Sequence, residues 1–383
     1  MIYLCKTNPS DFSTTDNLFQ THFWGNIKEK SGQISLYFDA VFKTEDCPEE
    51  FNFPLLVFLR KMNGLSYAYV PKAPPLSIPR ELRPLLLEDL SLALKEQLPQ
   101  DTVFLRYDLI WYSFDSSLNG KAAGNDFSAN CLRPELLELK MNYGTKTHNL
   151  RKAPKNYLPA DSVVINLKLS PEQLLMNMRQ QTRNSIRRAY REEIEFLIYD
   201  CSSPNLLPEL KKWHQIYENT GKRKGFYFEE YSYFENLFTT EKEFLAKKEP
   251  VCRKKDVIPM NAAVPPPRFY LFTAYKGKTL LSGLVLAICG KNAFYMYAAS
   301  SLEKRDCMPN YGLQWEVIRF ARSQGCTQYD LMGIPPDNDK ENPMAGLYIF
   351  KTGFGGRKIH FEGTWDFPLN QEEYKKIRTF EQF

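Results

Sequence analysis

The chain has 383 residues, of which 43% are hydrophobic, and its 50 basic and 45 acidic side chains leave a net charge of +5. This length exceeds the size at which one hydrophobic core usually stops growing, so we expect two domains. The small net charge excludes a general DNA-coating protein but allows a local basic patch that faces a phosphate-bearing partner. The sequence shows no signal-peptide pattern and no run near the roughly 20 uncharged residues of a membrane span, so we expect a cytoplasmic protein.

Eight cysteines are scattered along the chain, with no CxxC pair and no histidine at zinc-ligand spacing. This distribution favours reduced, structural thiols over a disulfide framework or a structural metal. The chain also lacks a Gx4GK[ST] phosphate loop, and the glycines of 353–356 do not match the dinucleotide fingerprint, which follows a strand and opens a helix. We therefore expect neither a metal nor a cofactor.

Two stretches of the chain repeat one order of elements. The first predicts two strands joined by a turn, then a helix and a third strand, at 54–60, 65–71, 81–98 and 102–108. The second predicts two strands joined by a turn, a third strand, a helix and a last strand, at 268–275, 279–288, 292–299, 312–325 and 328–334. This order predicts an α/β (α+β) protein of two modules, each a meander crossed by a helix.

The second module has the order of an acyltransferase type of fold. In such folds the phosphates of acetyl-CoA lie on the backbone amides that open the central helix. Here that junction reads "SSLEKRDCMPNYGLQW", which lacks a glycine-rich, basic pyrophosphate loop. We therefore expect acyl transfer from a donor other than CoA.

Two irregular stretches interrupt the repeated pattern. Residues 143–161 are polar, basic and poor in apolar side chains, which is typical of a connection, and we place the boundary between the modules near Ala160. Residues 246–267 are rich in proline and lysine and precede the first sheet strand of the second module. We interpret them as a surface insertion, with contact to a substrate as the alternative.

Arginines recur every four residues in a segment of helix-forming composition, 174–193. Four residues overshoot one helical turn by about 40°, so Arg179, Arg183, Arg187 and Arg191 would form a slowly winding basic stripe. One interpretation is a track for phosphates, because an arginine fork binds phosphate oxygens in pairs. The alternative is a solvated face that nearby glutamates neutralise.

A second basic cluster, at 222–224, directly precedes the aromatic residues Phe226, Tyr227 and Phe228. Cations beside aromatic platforms suit a nucleotide or a sugar phosphate, and a loop whose aromatic residues enter the core is the alternative. A Ser/His/Asp nucleophile set is hard to assemble, because none of the four histidines lies in a nucleophile-elbow context.

Several motifs carry a resemblance to a known family. "YAASSLEKRDCMPNYGLQW" and "GLYIFKTGFGG" resemble the FemABX family, the aminoacyl-tRNA-dependent transferases that build peptidoglycan cross-bridges. Further matches, in the family's order, are "FQTHFWGNIKEKSG", "FLRYD", "MRQQTRNSIRRAYREE" and "TGKRKGFYFEEYSYF". The resemblance spans nearly the whole chain.

The resemblance implies two tandem acetyltransferase (GNAT)-like domains. The first, which binds the precursor, would comprise residues 1–160 and a returning segment, 363–383. The second, 161–362, would receive the aminoacyl-tRNA end and the acceptor amine. Some members carry a coiled-coil arm of dozens of heptad-patterned residues, but this chain has only the proline-bearing insertion there, so we expect no coiled-coil arm.

The resemblance also implies roles for particular residues. Lys28, Arg223 and Tyr227 match family positions that hold the nucleotide or pyrophosphate end of the cell-wall precursor, and Tyr297 corresponds to a further tyrosine that contacts the precursor. Their types suit the role, since two cations and two aromatic rings can bind phosphates and a base.

The Phe350-Lys351 pair matches the family's Phe-Lys pair, which lies beside the site where the aminoacyl-tRNA end meets the acceptor. The implied reaction is aminolysis of an ester, so Lys351 would stabilise the oxyanion while Phe350 and Phe354 exclude water. A structural lysine that extends past aromatic rings is the alternative. The family's Asp-Pro appears here as Asp108-Leu109, and we interpret Asp108 as a turn-capping residue.

The resemblance implies aminoacyl-tRNA and a UDP-linked or lipid-linked peptidoglycan precursor as partners, with no CoA. We expect a monomer, and peripheral membrane contact if the acceptor is lipid-linked. Two alternatives stay open: a tRNA-dependent transferase that acts on a protein or a small metabolite, and a non-catalytic RNA-binding module. The sequence does not identify the transferred amino acid or the general base.

Overall fold

The computed structural model describes residues 1–44, 47–113, 133–225, 227–246, 264–335 and 344–382. Most of the expected surface insertion lies outside these ranges. The described residues of the first half include β1 (Ile2–Lys6), α1 (His22–Lys30), β2 (Ile34–Thr44), β3 (Cys47–Met62), β4 (Leu65–Val70), α2 (Arg83–Lys95), β5 (Thr102–Tyr112) and α3 (Pro134–Met141).

The second half begins with a short strand that returns to the first half of the sheet, and it ends with a long strand and a helix that do the same. Its elements are β6 (Arg151–Lys152), β7 (Asp161–Asn166), α4 (Pro171–Asn177), α5 (Gln180–Arg191), β8 (Glu195–Tyr199), α6 (Leu206–Lys224), α7 (Tyr231–Ala246), β9 (Arg268–Lys276), β10 (Thr279–Cys289), β11 (Asn292–Ser300), α8 (Pro309–Ser323), β12 (Gln328–Gly333), α9 (Ala345–Gly353), β13 (Arg357–Pro368) and α10 (Gln371–Gln382).

The described strands form one mixed sheet in the order β1-β2-β3-β4-β5-β13-β7-β12-β11-β10-β9-β8, with β6 paired to β13. Each half contains one parallel pair, β4 with β5 and β11 with β12, joined across α2 and α8. A parallel pair needs such a crossover, and the helix of the crossover covers one face of the sheet. This topology confirms the expected α/β fold of two acetyltransferase-like modules.

The β11–β12 ladder is short. It covers three residue pairs and ends where Phe294 lies opposite Asp330, although both strands continue. Beyond that point the two strands separate, which leaves a gap in the second half of the sheet.

Strand β13 joins the two halves. Residues 357–360 pair with β7. From Phe361 onward the strand pairs with β5, with a register shift between Phe361 and Gly363, whose φ is +70°. The final helix, α10, also packs on β5. The strand changes partner at Phe361, two residues before the expected boundary at 363, and the division into 1–160 with 363–383, and 161–362, stays a prediction.

Three hydrophobic cores hold the sheet and helices together. One lies under α2 in the first half and another lies under α5 and α8 in the second half. The third contains residues from both halves, including Phe23 of α1, Trp213 of α6 and Phe234 of α7. Each fully buried side chain of this size contributes about 1.5–3 kcal/mol, so the shared core fixes the two halves relative to each other.

One expectation about the arginine-rich segment was wrong. Residues 174–193 do not form one helix, because Met178 and Arg179 are extended, with ψ values of 151° and 145°, and separate α4 from α5. The break is stabilised by the carbonyl of Gly353, which accepts a 2.9 Å hydrogen bond from the Arg179 backbone N–H. Arg179 therefore precedes the helix, and the helical stripe begins at Arg183.

The returning segment is anchored by a buried ion pair. Arg106 of β5 donates two 2.8 Å hydrogen bonds to the carboxylate of Asp366 on β13 and further bonds to Glu381 of α10. Arg106 and Asp366 are 1% and 0% exposed. Removing either partner of this pair would leave a buried charge uncompensated, so the pair ties the C-terminal segment to β5.

Candidate active site

The side chain of Lys351 is buried where β11 and β12 separate. It extends from α9, and only 4% of the residue is exposed. Its Nζ donates to the carbonyl of Gly333 at 2.9 Å and lies 3.5 Å from the carbonyl oxygen of Met332. The same atom lies 4.7 Å from the centre of the Tyr295 ring, within the range of a cation–π contact. Lys351 therefore spans the gap between the end of β12 and β11.

Burial lowers the pKa of Lys351 to about 8, because a desolvated ammonium is less stable than one in water. The carboxylate of Asp330 attracts the ammonium and opposes this shift. At pH 7 the charged form still exceeds the neutral form about tenfold. The site therefore presents a positive charge where little water screens it, which is the condition for strong stabilisation of an anion.

The aromatic ring that contacts the ammonium is Tyr295, which the sequence did not single out. Phe350 and Phe354 pack edge to face at 5.1 Å, and both lie against Tyr311 at the start of α8. Phe350 thus helps to hold α9 against α8. Its role beside the reacting groups stays a prediction.

Lys28 of α1 lies in a second cluster, formed by both halves of the chain. Its Nζ lies 3.3 Å from the Tyr233 hydroxyl, which it can donate to, and 3.8 Å from a carboxylate oxygen of Glu229. The rings of Trp24 and Tyr233 lie 4.9 and 4.7 Å from the ammonium. Burial lowers the pKa of Lys28, while Glu229 opposes the shift. The cluster presents a cation on an aromatic surface, which suits a phosphate next to a ring.

Tyr297 belongs to the Lys28 cluster through Tyr233, since their hydroxyl oxygens are 2.9 Å apart. A β-bulge makes this possible. Along a regular strand, residues two apart share one face. Here Tyr295 pairs with Leu286 and Tyr297 pairs with the adjacent Val285, so Met296 is an extra residue of β11 with no partner on β10. Tyr295 consequently packs on the second-half core beside Lys351, and Tyr297 packs on the shared core.

Of the other two residues expected to bind the precursor, Tyr227 lies at the rim of this cluster and Arg223 lies on the neighbouring helix end. Tyr227 is 82% exposed, and its hydroxyl is 3.4 Å from a carboxylate oxygen of Glu229, the residue that faces Lys28. Arg223 is exposed on the last turn of α6, which ends at Gly225 with a left-handed φ of 69°. Lys28, Tyr227 and Tyr297 are therefore linked through shared partners, whereas Arg223 projects from the neighbouring helix end.

The arginines of the stripe differ in their surroundings. The guanidinium of Arg183 donates to backbone carbonyls at the end of α4, including that of Met178, so its fork is used within the protein. Arg187 is exposed and donates only a 3.2 Å bond to its neighbour Asn184. The side chain of Arg179 is exposed beside Tyr311. Arg179 and Arg187 remain candidates for a phosphate, and Arg183 is structural in this conformation.

No group of histidine, cysteine and carboxylate side chains in the described residues is arranged to hold a metal ion. In the same residues, no helix combines the length and the apolar character that crossing a membrane requires.

The profile of the FemAB family matches residues 8–245 and 270–382, which is well over half of the chain. The chain belongs to the FemAB family. This result confirms the resemblance to FemABX proteins that the motifs carried.

Curated relatives match this FemAB-family chain over a short stretch. The lipid II:glycine glycyltransferase of Staphylococcus epidermidis (strain ATCC 35984) is 38% identical over 97 residues, 25% of this chain and 23% of the relative. That of Staphylococcus aureus (strain USA300) is 39% identical over 97 residues, again 25% and 23%. The chain thus matches these curated relatives over about a quarter of their length. The crystal structure of FemX superposes with a TM-score of 0.66 and 16% identity, covering 98% of this chain and 100% of that chain, and so shares the fold.

The FemAB-family motif that contains Asp108 has a structural role here. Asp108 lies inside β5, so the expectation of a turn-capping residue was wrong. One carboxylate oxygen accepts a 2.6 Å bond from the Thr364 hydroxyl of β13, and the other accepts a bond from the Tyr69 hydroxyl of β4. With 2% of the residue exposed, Asp108 joins three strands across the middle of the sheet.

Sequence reasoning missed the partners that complete both clusters. Tyr233 and Glu229 follow the matched Tyr227 by only a few residues, yet their role depends on meeting α1, some 200 residues earlier in the chain. Tyr295 and the Met332 carbonyl depend on how β11 and β12 diverge. Alternating strand residues could have pointed to Tyr295, but the bulge that sets its face leaves no clear local signal.

Proposed function

We propose that the protein is an aminoacyltransferase that moves an amino acid from aminoacyl-tRNA to a side-chain amine on the stem peptide of a peptidoglycan precursor. Membership of the FemAB family and the partial similarity to enzymes named lipid II:glycine glycyltransferases support this proposal. The single observation that carries it at the atomic level is the buried ammonium of Lys351 at the gap between β11 and β12.

In the reaction the acceptor nitrogen attacks the ester carbonyl that joins the amino acid to the terminal ribose. The carbonyl oxygen becomes an oxyanion, the carbon–oxygen bond to the ribose then breaks, and the nitrogen loses a proton as the ribose hydroxyl regains one. Lys351 uses one N–H on Gly333 and has further protons with which to face an oxyanion. Removing one such donor typically slows acyl transfer by about 10²–10³-fold.

The Lys28 cluster would bind the anionic end of the acceptor. A diphosphate there would meet the Lys28 ammonium, the ring of Tyr233 and the exposed ring of Tyr227. Tyr297 would hold Tyr233 in place through the contact between their hydroxyls. Because these side chains come from both halves of the chain, acceptor binding would depend on the shared core that fixes the halves.

Within the part of the chain that the structure describes, no side chain stands out as a base for the attacking amine. Both carboxylate oxygens of Asp108 already accept hydrogen bonds from Thr364 and Tyr69. We therefore infer that a substrate group, such as a terminal phosphate of the tRNA, accepts the proton. Asp108→Asn should lower stability more than it lowers the rate per folded enzyme; a large loss of rate with unchanged acceptor binding would instead identify Asp108 as the base.

The decisive experiment incubates the purified protein with a fully charged tRNA pool and with the UDP-linked and lipid-linked precursors in separate reactions. Mass spectrometry of the products identifies the amino acid, the number added and the preferred acceptor. Lys351→Met should abolish most transfer while tRNA and precursor still bind. Transfer to an unrelated peptide or metabolite but to neither precursor, or RNA binding without any transfer, would refute the proposal.

A further inference from the structure

A cavity of about 410 Å³ lies between the two halves of the sheet, next to the shared core. Its walls come from both halves, so we call it the seam pocket. Its lining is mostly apolar and includes Phe53, Ile110, Val164, Ala293 and Phe361. The volume is within the roughly 300–1,000 Å³ typical of sites for small ligands. Neither the Lys28 cluster nor the Lys351 ammonium forms its wall, so the pocket has no role in the mechanism proposed above.

Lys72 brings a positive charge into the seam pocket. It follows β4 with a left-handed φ of 50°, and its carbonyl accepts a 2.7 Å bond from the side-chain amide of Asn17. The amide of Gln20 holds the preceding carbonyl, that of Pro71, in the same way. These two bonds fix the backbone from which the Lys72 side chain enters the pocket.

Among the described residues, the Lys72 ammonium has no ion pair within 4 Å. It lies 4.8 Å from the centre of the Phe361 ring. Two carboxylates attract it. Asp108 accepts a hydroxyl on each of its oxygens, and Asp330 accepts from the Ser162 hydroxyl and the Met332 N–H through a single oxygen. Burial accordingly lowers the pKa of Lys72 despite the attraction of Asp108 and Asp330. A partly desolvated cation without a counter-ion favours binding of an anion.

The seam pocket also leads to the reaction centre. Met332 lines the pocket, and its carbonyl oxygen lies 3.5 Å from the Lys351 ammonium. Asp330, another lining residue, attracts both Lys72 and Lys351. The pocket and the proposed site of acyl transfer thus share the end of β12 as a common wall.

The chemistry of the pocket selects among possible anions. One lysine among apolar walls suits a ligand that has a single negative charge next to small apolar groups. A phosphate dianion would meet the additional negative charge of Asp16 and Asp330, which also line the cavity. An organic carboxylate is therefore favoured over a phosphate dianion.

We propose that the seam pocket binds the C-terminal end of the acceptor's stem peptide, with Lys72 paired to the terminal carboxylate, and that this contact positions the acceptor amine at Lys351. The inference rests on the proposed function, because it assumes a peptide acceptor. Lys72 is in this scheme a positioning residue, since it touches the acceptor away from the reacting atoms.

The test uses two soluble UDP-linked pentapeptide precursors, one with a free C-terminal carboxylate and one with a C-terminal amide. kcat and KM are measured for the wild type, Lys72→Met, Lys72→Arg and the control Lys61→Met, which removes an exposed lysine of the same half. A charge-assisted hydrogen bond corresponds to about a 10- to 100-fold difference in affinity. We expect a KM at least tenfold lower for the carboxylate form in the wild type and in Lys61→Met.

Lys72→Met should raise the KM for the carboxylate form to that for the amide and leave kcat within about twofold, whereas Lys72→Arg should retain the preference. Equal losses with both acceptors, no loss with either, or an increased KM for charged tRNA instead would overturn the inference; the last result would indicate a phosphate in the pocket. Thermal melting checks that each variant folds.

Calorimetry without tRNA separates this inference from the proposed function. If the wild type transfers no amino acid to any precursor, yet binds the carboxylate form more tightly than the amide in a Lys72-dependent manner, the proposed function fails and the pocket assignment stands. If transfer occurs but calorimetry shows equal binding of the two forms, the pocket assignment fails and the proposed function stands.

Discussion

Replacing Lys351 by methionine should change the pH dependence of stability as well as the activity. Methionine has nearly the same length and fits between Tyr295 and the carbonyl of Gly333 without opening a large cavity. It removes the one charge that the fold buries at the gap between β11 and β12. Any stability change that varies with pH in this variant therefore reports the burial of that ammonium.

The magnitude follows from the pKa of Lys351, which burial lowers from the ordinary 10.5 to about 8. That difference corresponds to about 3 kcal/mol of destabilisation at pH 7, where both the folded and the unfolded chain carry the proton. Between pH 8 and 10.5 the unfolded chain binds more protons than the folded one, so stability rises with pH. At about pH 9.5 the remaining cost is about 1.4 kcal/mol, and the wild type should gain about 2 kcal/mol relative to Lys351→Met.

The loss of the hydrogen bond to Gly333 works in the opposite direction. An unpaired buried carbonyl costs about 1–3 kcal/mol, which is comparable to the gain from removing the charge. The sign of the stability change at pH 7 alone is thus a weak test. The cost of the unpaired carbonyl does not vary with pH, so the difference between two pH values isolates the ammonium.

The assay is urea unfolding followed by tryptophan fluorescence at about pH 7 and about pH 9.5, for the wild type, Lys351→Met and the surface control Lys61→Met. The free energy difference between wild type and Lys351→Met should move by about 2 kcal/mol in favour of the wild type at the higher pH. A difference that stays constant within about 0.5 kcal/mol would mean that the ammonium is solvated, and the electrostatic argument for its role in acyl transfer would fail with it.

Three further predictions concern other parts of the molecule. Arg106→Met should lower the free energy of unfolding by about 3–5 kcal/mol, because it leaves the buried Asp366 carboxylate unpaired; a loss below about 1 kcal/mol in urea unfolding would contradict a buried pair. Lys28→Met should raise the KM for a UDP-linked acceptor about tenfold or more with little change in kcat, and steady-state kinetics would count against the assignment if only kcat fell. Arg187→Ala should reduce the slope of log affinity for tRNA against log salt by about 0.7–0.9, whereas Arg183→Ala should mainly lower the melting temperature; equal salt slopes for wild type and Arg187→Ala would remove Arg187 from the interface.

The sequence by itself determined the elements and their order. The expected strands and helices of both modules are present, because the alternation of apolar residues along a strand and their 3.6-residue period along a helix are local properties. The FemABX motifs likewise led to Lys28 and Lys351 as the charged residues of two buried clusters. The prediction from local composition was wrong where a tertiary contact overrode it. At Met178 the helix breaks, because the carbonyl of Gly353 helps to stabilise an extended backbone that helix-forming composition does not predict.

Only the tertiary structure decided what these residues meet. Lys28 and Tyr233 are 205 positions apart in the chain, and a single extra residue in β11 sends Tyr295 and Tyr297 to opposite faces of the sheet. The seam pocket exists because β13 passes from one half of the sheet to the other and brings Lys72 near Asp330 of the second half. Contacts of this kind depend on how whole layers pack, and that packing is a sum over many weak interactions rather than a pattern in any short segment.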